Sequence, residues 1–188
     1  MKLGVAYNLF DGEELLESSI KSIRDAVDYI CVIYQQKSYY GENASKNIGE
    51  FLNELKDKDL INEIHLYERD FLKSNDKHKF EREKRDMGLS FCKKSGCTHF
   101  MSMDTDEFYD IEQFIQAKDF IIRNKIETSA VPIYTYLKSP EYRMIRGYIN
   151  PHSSDYQFFV PFIMKIYKYK RQKHNCEFYP CLVDPTRA

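Results

Sequence analysis

No apolar run in this 188-residue chain approaches the roughly 20 residues that a membrane-spanning helix needs. A strong charge of either sign is also missing, and a formal net charge of −1 gives no electrostatic reason to expect nucleic acid as a partner. The apolar stretch within Met1-Lys2-Leu3-Gly4-Val5-Ala6-Tyr7-Asn8 is too short for a signal peptide, so the expected location is the cytoplasm. Internal repeats, low-complexity tracts and flexible linkers are absent. The length therefore fits one domain over residues 1–188, large enough to bury a core. Charged residues (30%) and hydrophobic ones (43%) stand in a globular balance, which excludes a disordered chain. Tryptophan is missing, whereas tyrosine (15) and phenylalanine (13) are abundant, and many tyrosines fall between Tyr134 and Tyr179. Such rings suit either a strand-rich segment or a groove for polar, ring-shaped ligands.

Five cysteines are an odd number for a disulfide framework and read as reduced thiols. Two pairs share one spacing, Cys92-x4-Cys97 and Cys176-x4-Cys181, which raises a four-cysteine zinc site. Against it, Cys92 falls on a helical pattern, Cys97 follows that helix's terminal glycine, and the tight zinc knuckle is lacking. Buried thiols are the preferred reading.

Strand and helix patterns alternate through the first 125 residues. Strands are expected over 3–7, 29–34, 61–67 and 98–103, and helices over 13–25, 48–58, 80–94 and 111–123. Asp11 and Glu14 have the form of a helix-start box, and Gly96 that of a helix stop. This order predicts an α/β fold with a mainly parallel sheet covered by helices. Beyond it lies a β-rich half, with strands expected over 130–137 and 158–169 among Pro132, Pro140, Pro151 and Pro161. The tract Lys165 to His174 interleaves cations and tyrosines. Its first reading is an edge strand defended by lysines, and its second a contact with an anionic membrane surface.

The most informative stretch is Thr98-His99-Phe100-Met101-Ser102-Met103-Asp104-Thr105-Asp106-Glu107-Phe108. A buried strand here ends in three acids, and open α/β sheets place ligands beyond the carboxyl ends of their strands. Carboxylates so close repel one another unless something positive sits among them. A hard divalent cation with oxygen ligands, Mg²⁺ or Mn²⁺, meets that need and usually completes its shell with phosphate oxygens. The plainer alternative is a solvated acidic turn capping the helix that follows.

Three landmarks in order resemble glycosyltransferases of the GT-A fold, especially bacterial enzymes of the family-2 type. They are Val5-Ala6-Tyr7-Asn8-Leu9-Phe10-Asp11-Gly12-Glu13-Glu14, then Lys84-Arg85-Asp86-Met87-Gly88-Leu89, then the run from Gly96 to Phe108. The resemblance implies a mixed, mainly parallel sheet flanked by helices, with residues 1–110 binding a nucleotide sugar and residues 111–188 facing the acceptor. The reaction implied is metal-dependent transfer of a sugar from a nucleoside-diphosphate sugar, UDP-linked by preference, to a hydroxyl of a glycan or lipid-linked acceptor. By the same resemblance Asp106 binds Mn²⁺ or Mg²⁺, Asp104 meets the ribose or the metal's water shell, and Glu107 orients a ligand or receives a sugar hydroxyl. Tyr7 and Asn8 would line the base and ribose pocket. Lys79, Arg82 or Arg85 could meet the base or diphosphate, but for each the preferred reading is a solvated helix face, because Lys77 to Arg85 is charged throughout.

The chain also departs from the family. Asp86 stands where Asn is usual, and Gln35 occupies the place of an acid that contacts the base. For the acceptor's base the first candidate is Asp155 and the second Asp184, each also readable as a turn residue. His152 and His174 are minor candidates as late metal ligands. The end of the chain shortly after Val183 reads as a minimal member or an excised catalytic core. Peripheral contact with the inner face of a membrane fits a lipid-linked acceptor. Two rival classes stand beside this one. A nucleotidyltransferase is disfavoured because the loop from Asn8 to Glu14 is acidic with a single glycine. A non-catalytic nucleotide-sugar-binding module of the same fold is the other.

Overall fold

The computed structural model describes residues 1–38, 40–44, 47–68, 77–134, 136, 142 and 158–166. Its centre is a strand, β1 (Leu3–Leu9), in which all seven residues are buried. A strand with no polar face must be covered on both sides, and parallel pairing with helical crossovers provides that cover. Helix α1 (Glu13–Ile23) and a 3₁₀ turn (Arg24–Ala26) lead to β2 (Tyr29–Tyr34), and α2 (Ile48–Asp57) leads to β3 (Glu63–Leu66). Then α3 (Lys77–Lys94) carries the chain back to β4 (His99–Asp104), on the other side of β1. Helix α4 (Ile111–Arg123) precedes β5 (Thr128–Ile133) and β6 (Phe158–Lys165). The six strands lie in the order β3-β2-β1-β4-β6-β5. Strands β1 to β4 are mutually parallel, and β6 runs antiparallel to both β4 and β5. The expected α/β fold with a mainly parallel sheet is thus present.

Strand parity sorts the core into two layers. Leu3, Val5, Tyr7 and Leu9 of β1, with Met101 and Met103 of β4, share a cluster with Leu16, Ile20 and Ile23 of α1, Leu52 and Leu55 of α2, and Phe114 and Ile121 of α4. Ala6, Cys31, Ile33 and Phe100 face the opposite way, onto Phe80 and Cys92 of α3. Helix α3 lies so close to the sheet that a Cβ on Gly88 would come within 2.4 Å of the Ala6 Cβ.

Several expected boundaries move. Strand β1 runs two residues further, to Leu9, and β3 is trimmed to Glu63–Leu66. Helix α3 starts three residues earlier than its apolar pattern, at Lys77. Strand β5 begins at Thr128 and ends at Ile133, and β6 is described as far as Lys165. The helix-start box at Asp11 is a correction. The N-cap of α1 is Gly12, in the left-handed region at φ 82°, with no side-chain cap. The Asp11 carboxylate instead accepts from the Gly12 amide, 3.0 Å away, which draws it out of the helix entry. Among the described residues no helix is long and apolar enough to cross a membrane.

Candidate functional site

The chain steps outward from β1 to β2 and β3, then returns to place β4 against the other edge of β1. The strand order therefore reverses between β1 and β4, and their carboxyl ends are the kind of switch point where open α/β sheets bind ligands, with both following helices, α1 and α4, packed on one face of the sheet. Register puts Asn8 directly beside Asp104 at that point. The acidic run sits at these ends. Asp104 closes β4, Asp106 is exposed in the following turn, and Glu107 is half-buried with its amide on the Asp104 carbonyl at 3.3 Å. None of the three caps α4, because Asp110 does so, accepting from the Gln113 amide at 2.9 Å.

Beneath the acids lies a polar layer on the α3 side of the sheet. Arg85 donates through Nη2 to both Asp104 oxygens at 2.9 Å, through Nη1 to Ser102 Oγ at 2.8 Å, and through Nε to Glu81 at 2.9 Å. Its residue is only 6% exposed, so the expectation of a solvated helix face fails at this position. Lys84 is buried as well, at 4% exposure, with its ammonium 3.8 Å from Glu81. Burial pulls the Lys84 pKa down, while Glu81 and Asp104 pull it up. Lys79, Arg82 and Asp86 are half-buried on the same helix.

Asn8 donates from Nδ2 to Ser102 Oγ (3.1 Å) and the Met103 carbonyl (3.3 Å), but its Oδ1 has no partner. Gln35, just past β2, donates from Nε2 to the Lys37 carbonyl at 3.0 Å and leaves Oε1 without a partner. Buried acceptors are rarely left unsatisfied. Two of them at neighbouring strand ends mark a place where an outside donor would be welcome. A concave space of about 310 Å³ lies over this edge, lined by Phe10, Asp11, Glu42, Asn43 and Ala44.

The acids are also supported from the α1 side. Tyr7 is fully buried, its hydroxyl 3.1 Å from Ser19 Oγ, and Ser19 in turn donates to the Glu107 carbonyl. Tyr7 therefore braces the acidic turn from below, where the sequence suggested a wall of the pocket. Burial, reinforced by Asp104, pushes the Glu107 carboxyl up to about 8. Thr105 Oγ1 lies 2.9 Å from where a Gly12 Cβ would sit, so the β1 and β4 loops meet closely there.

Asp155, Asp184, His152 and His174 lie outside the described residues, as do Cys176, Cys181 and most of the basic tract. Cys92 and Cys97 are buried, with Cys31, against the sheet. Ser102, Lys84 and Ser19 escaped the sequence reading. Ser and Lys carry no pattern of their own, although Glu81, Arg85, Gly88 and Cys92 recur at helical spacing and could have revealed which face of α3 turns inward.

Among the described residues no three His, Cys, Asp or Glu side chains are arranged to hold an ion. The donor set at the strand ends is nonetheless all oxygen, with Asp106 exposed beside Asp104. That fits a hard cation of the kind that takes one or two carboxylates and completes its shell on a bound phosphate. Comparison of the chain with protein-family models and with curated proteins finds no match.

Proposed function

We propose that this protein is a GT-A-type glycosyltransferase that binds a nucleoside-diphosphate sugar in the crevice between the ends of β1 and β4. The observation that carries the reading is the acidic turn 104–107 standing at the sheet's topological switch point, backed by the buried Arg85. The mixed, mainly parallel sheet and the order of its landmarks support the same reading. The diphosphate lies against Asp106, where Mg²⁺ or Mn²⁺, when bound, would offset the charge that builds on the leaving phosphate oxygen. The base lies over the pocket beside Phe10 and Asn43. Gln35 places one amide N–H on the Lys37 carbonyl and leaves its Oε1 without a partner, so it offers the incoming base an acceptor. The N3–H of uracil can meet that acceptor, and UDP is the carrier we propose. Asn8 Oδ1 accepts from a ribose hydroxyl. Glu107, beside the ion's carboxylate, orients a ligand or receives a hydroxyl of the donor sugar. The acceptor is a glycan or lipid-linked hydroxyl, with Asp155 or Asp184 as the group that takes its proton.

The test is thermal stabilisation by UDP with Mn²⁺. A ligand at a hundred times its Kd stabilises the native state by about 2.7 kcal/mol. We expect a clear rise in Tm for the wild type and none for Asp106→Asn, which should otherwise melt like the unliganded protein. If no nucleoside diphosphate raises Tm in the presence of Mn²⁺, the reading is wrong.

A further inference from the structure

Acids as close as Asp104, Asp106 and Glu107 need a positive charge among them, and the fold already contains one. The Arg85 guanidinium is fixed on three sides, by Asp104, Ser102 and Glu81, with every donor–acceptor distance at 2.8–2.9 Å. Charge-assisted contacts of this kind, made by a guanidinium that is itself buried, hold a side chain still. Arg85 therefore does not swing out to a ligand. Lys84 stands behind it, and Glu81 is shared between the two cations. Both oxygens of Asp104 are thus already engaged by a cation, and a divalent ion bound to them would sit against the guanidinium. Asp106 is exposed and lies beyond this layer.

We propose that Arg85 is a resident counter-ion occupying the place at Asp104 that a divalent cation would otherwise take. Asp104 is then a positioning residue for the arginine, and Asp106 is the carboxylate that receives the ion. This rests on the nucleotide-sugar reading only for the kind of ion expected. Two consequences follow from the charges. Removing the Arg85 charge releases Asp104 and removes a repulsion, so ion affinity rises. Removing the Arg85–Asp104 pair together leaves the local charge unchanged, so affinity hardly moves.

The experiment titrates the full chain with Mn²⁺ alone, without nucleotide, following the spectroscopic signal of the free ion. We expect Arg85→Gln to bind Mn²⁺ about tenfold more tightly than the wild type at low salt. The double variant Arg85→Gln/Asp104→Asn should stay within about threefold of the wild type, and Asp106→Asn should lose binding. Should the polar variants not fold, Arg85→Met/Asp104→Leu replaces the buried arginine and its half-buried partner with apolar side chains. The proposal is overturned if the double variant loses Mn²⁺ as fully as Asp106→Asn, or if Arg85→Gln binds no more tightly. Absence of UDP binding alongside the expected Mn²⁺ pattern would sink the nucleotide-sugar reading and leave this one standing.

Discussion

At position 88 a single methyl group decides how α3 meets the sheet. Its Cβ would stand 2.4 Å from the Ala6 Cβ, and both atoms belong to rigid backbone elements. Alanine improves helix propensity by up to about 1 kcal/mol, but overpacking a well-filled core costs about 1–3 kcal/mol. Gly88→Ala should therefore lower stability to chemical denaturant, and because Arg85 sits one turn earlier, it should also loosen the hold on Asp104. A midpoint equal to or above the wild type's would show that the helix has room to lift. Single side chains were also the least legible feature of the sequence. Lys77 to Arg85 reads as a solvated charged face because charge usually means solvent. Arg85 and Lys84 are buried all the same, because Glu81 one turn back on α3 partners both and, for Arg85, Ser102 and Asp104 of β4 supply the rest. Asp104 and Asp106 were legible because their place at the end of an apolar strand implied it.

The end of α3 shows one element closing on itself. Gly96 has φ 76°, its amide bonds to the Lys93 carbonyl at 3.1 Å, and the Cys97 amide bonds to the Cys92 carbonyl at 3.1 Å. That is the Schellman arrangement, in which the residues at the two ends of the longer bond pack together. Both their sulfurs lie 2.8 Å from where a Gly4 Cβ would be. The Cys-x4-Cys spacing thus follows from helix termination and core packing. Gly96→Ala, forced into the left-handed region, should cost roughly 1–2 kcal/mol in a denaturant titration, and a smaller effect would mean the turn can relax. At the start of β4, burial holds the His99 pKa below its ordinary 6.5, and the chain's amino terminus and Lys165 push it the same way. The fold favours the neutral ring, so its contribution to stability is present above the unfolded pKa and is lost as pH falls through the lower folded value. His99→Gln should therefore lose less stability than the wild type between pH 7 and pH 5, and identical losses would remove His99 from the acid response.

For the whole molecule, the alternation of apolar runs and amphipathic helices was enough to foresee a mainly parallel sheet, and β2 and α4 fall where their patterns put them. Periodicity could not say where the chain turns back. That β4 returns to lie against β1 is a matter of tertiary order, and it is what sets the ends of these two strands side by side. Strands β5 and β6 were visible only as a change of texture, because proline-broken segments give no helical period to count. A nucleoside diphosphate bound as proposed would leave its footprint at the ends of these strands. At 22.5 kDa the protein suits backbone amide resonance mapping during a titration with UDP and Mg²⁺. The amides of Asn8, Phe10, Asp11, Gln35, Asp104 and Asp106 are expected to move saturably together, and the proposed occupancy stands on that result. It is contradicted if no amide moves at saturating UDP, or if the moving amides lie instead along β5, α4 or the amino ends of the parallel strands.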